Sequence, residues 1–161
     1  MMPVDLIGVL TYRGLLTGCE QYAAGQSDDP VRQVGAKIVD KHGQVVSFGA
    51  NHLPRGVLWD QRRVTRPLKS IFLEHAERDA IYHAARWGIR LDGATMVAPW
   101  AACAECARAI IAAGITSLVR RPIPLDRWSY SIGLGDQMLR EAGVEIVELK
   151  YLGHERFVDP G

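Results

Sequence analysis

The second half of the chain alternates strand-like and helical patterns, and this alternation limits the folds that it can adopt. Short β-rich runs predict strands at residues 95–98, 115–120 and 144–149. Apolar residues at helical spacing predict helices at 103–113 and 128–142, each followed by a glycine. Strands that alternate with helices pair in parallel through right-handed crossovers. This half of the chain therefore predicts a parallel sheet covered by helices.

The first half of the chain predicts a hairpin and two further helices. The runs 34–39 and 44–48 are β-rich and are separated by a short polar turn sequence, which favours antiparallel pairing. Helical spacing covers residues 15–24 and 74–87. Together the two halves predict an α/β fold of one domain over residues 1–161. It is a three-layer α/β/α sandwich with a mixed five-stranded sheet, in which the first two strands are antiparallel and the rest parallel.

The overall charge of the chain argues against a general affinity for nucleic acid. Its 161 residues include 48% apolar and 23% charged side chains, with a formal net charge of only +1. Proteins dedicated to binding polyanions usually carry a basic surplus. We therefore expect a small-molecule substrate, and we expect any contact with phosphate to be local.

The sequence also predicts a cytoplasmic protein without a membrane span. The longest strongly apolar run without charge, residues 109–119, has 11 residues, whereas a bilayer requires about 20. The first residues lack the basic start and cleavage site of a signal peptide. Three cysteines, two of them close together, suit a reducing compartment.

Four residues at the starts of two predicted helices form a candidate metal site. His75 and Glu77 begin one helix, and Cys103 and Cys106 lie one turn apart at the start of the other. Imidazole and thiolate are ligands of zinc, and a catalytic zinc site supplies three protein ligands and leaves a fourth position open. A lone C-x-x-C pair also occurs in redox sites and as half of a structural zinc site. The H-x-E sequence favours the catalytic reading.

Glu77 occupies the position of a general acid/base in this arrangement. It lies two residues after His75 and therefore points to another side of the helix, outside the metal ligands but near the water that the metal activates. A carboxylate placed there can carry a proton from the water to a leaving group. Hydrolytic loss of ammonia from an aromatic ring requires such a shuttle.

These two motifs resemble those of the zinc-dependent cytidine/deoxycytidylate deaminase superfamily. The resemblance rests on HAERDAI at 75–81 and CAEC at 103–106. It continues upstream in SDDP at 27–30, VGAKIV at 34–39 and GANHLPRG at 49–56. The order and spacing are most similar to those of deoxycytidylate (dCMP) deaminases. The resemblance implies hydrolysis of dCMP to dUMP and ammonia with one zinc ion per chain.

The resemblance also assigns roles to individual residues. The zinc ligands would be His75, Cys103 and Cys106, and Glu77 would transfer protons. Residues at the substrate would be Asn51, which would hydrogen-bond the sugar, the Ala76 backbone, which would contact the base, and Val34, which would form a pocket wall. The phosphate would bind near the long loop that follows Asn51.

Two further substrate contacts are expected from details of this sequence. Arg55 is the first candidate for the phosphate among the basic residues of the long loop, although such residues often form only a solvated surface. Ala102 stands where the family usually has a proline before the first cysteine. The turn is therefore shaped differently, and Trp100 or Ala101 would line the base pocket.

Other functions and partners follow less directly from the sequence. A deaminase acting on another base, such as guanine or a tRNA adenosine, is one alternative, and a non-catalytic nucleotide-binding regulator that keeps the zinc is another. The resemblance implies a homo-oligomer. A nucleotide can bring Mg²⁺ with it, but no sequence feature predicts a magnesium site.

Overall fold

Five strands and five helices form the part of the chain that the computed structural model describes, residues 6–124 and 129–150. The helices are α1 (Leu6–Gln26), α2 (Lys69–Phe72), α3 (Ala76–Arg86), α4 (Ala104–Ala112) and α5 (Tyr130–Glu141). The strands are β1 (Gly35–Val39), β2 (Val45–Ala50), β3 (Thr95–Val97), β4 (Ser117–Arg120) and β5 (Glu145–Glu148).

The strands form one mixed sheet in the order β2-β1-β3-β4-β5. Strand β1 runs antiparallel to both of its neighbours, and it pairs Lys37 with Phe48 on one side and with Val97 on the other. Strands β3, β4 and β5 are parallel, with Met96 opposite Leu118. The five-stranded mixed sheet that the sequence predicts is thus confirmed.

Helices cover both faces of this sheet because successive apolar side chains along its strands point to opposite faces, and both faces must be buried. Ile38, Met96 and Leu118 lie on the face that packs against α3, α4 and α5. Their neighbours in sequence point to the opposite face and pack against α1. The predicted three-layer sandwich is therefore present, with a larger core beneath the three helices.

Helix α3 packs unusually close to the sheet at Gly49. A Cβ atom at this position would lie 2.4 Å from both the Ala76 carbonyl oxygen and the Ala80 nitrogen. Two residues earlier in β2, the Ser47 hydroxyl donates to the Ala80 carbonyl at 2.6 Å. Strand β2 therefore fixes the start of α3, where two of the candidate functional residues lie.

Helix α1 is longer than the sequence predicts. It spans Leu6–Gln26, whereas the periodicity predicts only residues 15–24, because Gly14 and Gly18 lower helix propensity. A Cβ atom at Gly18 would lie 2.8 Å from Nζ of Lys37, the end of a flexible side chain that can move aside. None of the described helices is both long enough and apolar enough to cross a bilayer.

The long segment after Asn51 is more ordered than the loop that the sequence predicts. It contains the one-turn helix α2 and a small core of its own, formed by Leu53, Val64 and Leu73. Three apolar residues scattered over this length carry no periodic signal, so sequence patterns could not identify the cluster. The cluster holds the segment against the start of α3.

Candidate metal centre and active site

Three potential metal ligands meet where helices α3 and α4 begin. His75 and Cys103 directly precede these helices and have extended backbone conformations, and Cys106 lies in the first turn of α4. His75 Nδ1 is 3.5 Å from the Sγ atom of each cysteine. Within residues 6–124 and 129–150, these are the one group of three or more histidine, cysteine or acidic side chains close enough to share a metal ion. The convergence that the sequence predicts is present.

The spacing of these donors fits a tetrahedral zinc ion. Bond lengths of about 2.3 Å to sulfur and about 2.05 Å to nitrogen place the two donor atoms about 3.6 Å apart at the tetrahedral angle. The two observed nitrogen–sulfur distances are both 3.5 Å. One imidazole and two thiolates also match the donor types that zinc prefers, and three ligands leave one position open.

The surroundings of the two cysteines favour the thiolate form of Cys103. The neighbouring Cys106 side chain lowers the pKa of Cys103 to about 3, and His75 acts in the same direction. Interaction with Cys103 and burial raise the pKa of Cys106 above its ordinary value. Unpaired N–H groups at a helix start also favour a negative charge. A metal ion that displaces the Cys106 proton therefore meets a site already partly ionised.

Glu77 is a buried carboxylic acid beside these ligands. Its side chain is 4% exposed, and the Cys106 thiol lies 3.7 Å from its Oε2 atom. Burial raises the pKa of the Glu77 carboxyl above its ordinary value. A raised pKa makes the carboxylate a better proton acceptor, as a proton shuttle requires.

Helix α5 supports the turn that carries Cys103. The Ala104 N–H, at the start of α4, donates to Ser131 Oγ at 3.0 Å. A Cβ atom at Gly135 would lie 2.6 Å from the Ala102 carbonyl oxygen, so α5 touches this turn at backbone distance. Ala102 itself is fully buried. Packing against α5 therefore shapes this turn, in which Ala102 stands where the family usually has a proline.

A buried ion pair fixes the position of α5. The Arg120 guanidinium at the end of β4 donates to both carboxylate oxygens of Asp136, at 2.7 and 2.9 Å. Arg120 is 1% exposed. A bidentate pair of this kind restricts orientation as well as distance. Sequence patterns gave no indication of this contact.

A cavity of about 250 Å³ opens beside the metal ligands. It brings together five of the predicted site residues with residues of the segment that contains α2. Its lining consists of Asp29, Arg32, Val34, Asn51, Arg66, Lys69, Ser70, Leu73, Glu74, His75, Ala76 and Glu77. Val34, Asn51 and Ala76 thus lie in the same cavity as His75 and Glu77.

The side-chain amide of Asn51 organises one wall of this cavity. Its oxygen accepts hydrogen bonds from the Ser27 hydroxyl and the Val34 N–H, at 2.7 and 2.8 Å. Its nitrogen donates to the Arg32 carbonyl and, at 3.4 Å, to the Asp29 carboxylate. These contacts use both lone pairs and both N–H groups of the amide. A ligand hydroxyl at Asn51 would therefore replace one partner, and the contact with Asp29 is the longest of the four.

Three basic side chains also line the cavity, namely Arg32, Arg66 and Lys69. Lys69 lies 2.5 Å from the carboxylate of Asp29, which is 1% exposed. The sequence predicted that a basic residue of the long loop would contact phosphate, and Arg66 and Lys69 belong to that loop. Arg32 was not anticipated, because no spacing or motif marks it.

Two predicted substrate contacts lie elsewhere. Arg55 does not appear in the described lining of this cavity but in that of a separate groove, and it lies within the turn that begins at Pro54. Trp100 packs in a small cluster with Ala101 outside the lining. The Trp100 ring nevertheless lies beneath the guanidinium of Arg32, with its centre 5.9 Å from the central carbon of that group. Trp100 therefore contacts a residue that lines the cavity without lining the cavity itself.

Two histidines near the site have structural partners. His52 Nε2 lies 3.0 Å from the Asp79 carboxylate and its Nδ1 faces the Leu53 carbonyl, so both ring nitrogens meet acceptors. The hydrogen bond to Asp79 raises the pKa of His52 to about 9. His83 packs on Phe48, with ring centres 4.7 Å apart, as expected for a residue outside the metal ligands.

Comparisons with known proteins identify the same family as the sequence motifs. The model of the cytidine and deoxycytidylate deaminase zinc-binding region matches residues 14–120. An uncharacterized deaminase from the luxG 3′ region of Aliivibrio fischeri is 35% identical over 126 residues, 76% of this chain and 83% of that protein. The deoxycytidylate deaminase of Enterobacteria phage T2 is 33% identical over 138 residues, 85% of this chain and 70% of that protein.

The fold also has close counterparts among solved structures. The dCMP deaminase of cyanophage S-TIM5, crystallised with dCMP and dUMP, superposes with a TM-score of 0.70 and 23% identity, covering 92% of this chain and all of that one. The chain spans 52–57% of the length of its insect and mammalian relatives. The family match covers most of the chain and includes all three metal ligands. The chain therefore belongs to the cytidine and deoxycytidylate deaminase family of zinc-dependent hydrolases.

Proposed function

We propose that this protein hydrolyses dCMP to dUMP and ammonia. The observation that supports this most is the composition of the cavity beside the metal ligands. A single cavity is lined both by the proton-transferring Glu77 and metal-binding His75 and by three basic side chains. A deaminase of a free base needs the first set only, whereas a nucleotide monophosphate uses both.

The protein groups in this cavity account for the proton transfers of the reaction. When bound, zinc supplies an activated water at neutral pH. Glu77 accepts a proton from the attacking water and delivers it to N3 of the pyrimidine as the water oxygen bonds to C4. It then takes the second proton from that oxygen and passes it to the amino group, so that the bond from C4 to the amino nitrogen breaks, ammonia leaves and a C4 carbonyl remains. The raised pKa of Glu77 lets one carboxyl group serve in each of these steps.

The remaining lining residues hold the base and sugar. Val34 forms an apolar wall for the ring, and the Ala76 backbone lies beside Glu77, where the base would be read. The Asn51 amide would bind a sugar hydroxyl through the N–H that now makes the long contact with Asp29.

We assign the phosphate to Arg32, Arg66 and Lys69. Asp29, a carboxylate in the lining of the same cavity, is already paired with Lys69 at 2.5 Å. A dianionic phosphate would therefore meet a net positive environment. Arg32 is also held by the ring of Trp100, which restricts where its guanidinium points.

We further propose a cytoplasmic homo-oligomer. The described cysteines, Cys19, Cys103 and Cys106, are all free thiols, as expected in a reducing compartment. Phe48, Tyr82 and Trp87 are exposed by 41%, 53% and 66% and line one groove beside α3, which is an apolar surface suited to another subunit. Sedimentation velocity tests the oligomeric state, and a protein that sediments only as a monomer would contradict it.

A substrate panel tests the proposed reaction. The zinc-loaded protein is assayed for ammonia and for the deaminated product with dCMP, deoxycytidine, CMP, guanine and an RNA hairpin, and zinc content is measured on the same sample. We expect the highest kcat/KM with dCMP and a lower value with deoxycytidine, which lacks the phosphate. Turnover of guanine or the hairpin in preference to dCMP would refute the proposal.

A further inference from the structure

Arg78 connects the starts of the two helices that carry the metal ligands. It lies on α3, and its Nε and Nη2 atoms contact Glu74 Oε1 at 2.5 Å. Its Nη1 atom contacts Glu105 Oε2, on α4, at 2.5 Å. The Arg78 side chain is only 17% exposed. One planar cation therefore joins two carboxylates that belong to different helix starts.

Both carboxylates are neighbours of metal ligands in sequence. Glu74 directly precedes His75, and its Oε1 atom also accepts the His75 N–H at 2.9 Å. Glu105 lies between Cys103 and Cys106. The contacts of Arg78 thus end on the two short segments whose separation sets the distance between imidazole and thiolates.

We propose that Arg78 is a positioning residue for the metal site, which holds the imidazole and the cysteine pair at zinc-binding distance before the ion arrives. The ligands come from segments 28 residues apart in sequence. A bridge that fixes their separation beforehand lowers the free-energy cost of assembling the site when the metal binds.

The charge of Arg78 by itself has the opposite effect on a metal cation. A positive side chain close to the site repels Zn²⁺, and its removal leaves Glu74 and Glu105 without a neutralising partner. If Arg78 acted only through its charge, an uncharged replacement would bind zinc more tightly. If Arg78 acts by positioning, the same replacement binds zinc more weakly. The sign of the change therefore separates the two roles.

Zinc affinity of the metal-free protein is the test. The wild type and Arg78→Met are titrated with Zn²⁺ in competition with a chromophoric chelator, and with Co²⁺ by its absorption bands. Loss of groups that orient metal ligands typically lowers affinity by about 10–100-fold, and we expect about tenfold here because Arg78 acts through neighbouring residues. Affinity within twofold of the wild type, or tighter, would overturn the proposal.

Three further variants make the result specific. The double variant Arg78→Met/Glu105→Gln keeps the net charge of the wild type and should still bind zinc about tenfold more weakly. Arg78→Lys keeps the charge and most of the packing but cannot contact both carboxylates, so an intermediate loss is expected, and unchanged affinity would contradict positioning. Arg90→Met, which removes the exposed pair with Asp92, is the control and should bind zinc normally.

Thermal unfolding in chelator shows whether each metal-free variant is folded. Arg78→Lys is the variant that settles the question if Arg78→Met unfolds, because it conserves the buried length of the side chain. The readout is metal affinity, so it does not depend on which substrate the enzyme deaminates.

Discussion

Replacing Glu77 by glutamine should remove nearly all activity while leaving the metal site intact. Glutamine has the shape of the native side chain but cannot carry a proton between water and the amine. The other carboxylates in the described cavity lining, Asp29 and Glu74, are held by Lys69 and Arg78. Neither is placed to take over the transfer.

The size of this loss follows from the absence of a substitute group in that lining. Positioned acid/base groups contribute about 10²–10⁴ in rate, and we expect a loss of about 10³ in kcat, equivalent to about 4 kcal/mol in activation free energy. Ammonia release with saturating dCMP is measured by a coupled assay, and zinc content by elemental analysis.

A matched control distinguishes proton transfer from a general loss of charge. Glu141→Gln removes an exposed carboxylate at the far end of α5, whose contact is with Gln137. It should keep wild-type activity. If Glu77→Gln retains more than a tenth of the wild-type kcat at full zinc content, Glu77 does not transfer the proton and the proposed reaction scheme is wrong.

Three other predictions concern the phosphate, the sheet and pH. Lys69→Met should lower kcat/KM for dCMP by about 10–100-fold, the contribution of a charge-assisted hydrogen bond, and should lower kcat/KM for deoxycytidine less. The control Arg62→Met, at an exposed position, should change neither value. Equal losses with both substrates would refute phosphate binding by Lys69. Gly49→Ala should lower the free energy of unfolding by about 1–3 kcal/mol, the usual cost of overpacking, because its Cβ would lie 2.4 Å from α3 backbone atoms. In the control Gly14→Ala, the new Cβ meets nothing within 4 Å, so this variant should be neutral or stabilising in thermal melts. The pKa of His52 is raised from 6.5 to about 9 by its partner Asp79. The contribution of this ion pair to stability is therefore complete below about pH 6.5 and lost as the pH rises through 9. His52→Gln should flatten the fall in Tm between these pH values, and an unchanged slope would exclude the pair as the cause of that fall.

The metal site could be predicted from sequence because its chemistry depends on local spacing. Cys103 and Cys106 share a helix turn, and His75 and Glu77 share another, so each half of the site follows from helical geometry alone. The alternation of strands and helices then places both helix starts on one sheet. The same reasoning predicted the sheet, since β-rich runs and terminal glycines are local signals.

The cavity wall could not be predicted in the same way. Lys69 reaches the site because a small apolar cluster folds the long segment back, and Arg32 is held by a tryptophan 68 positions away in sequence. Arg55 belongs to the same segment but lies within a turn and lines another groove. Such placements depend on tertiary contacts, which a single sequence does not reveal.

The contact between Gly135 and the turn before α4 couples the packing of helix α5 to the segment that carries the first thiolate ligand. Any side chain at this position would push against the peptide that precedes the first thiolate ligand, since even a methyl carbon would lie 2.6 Å from the Ala102 oxygen. A larger side chain at Gly135 in α5, a helix that supplies no ligand and does not border the described cavity, is therefore expected to weaken retention of the ion. Variation in this helix should consequently be judged by metal occupancy as well as by thermal stability.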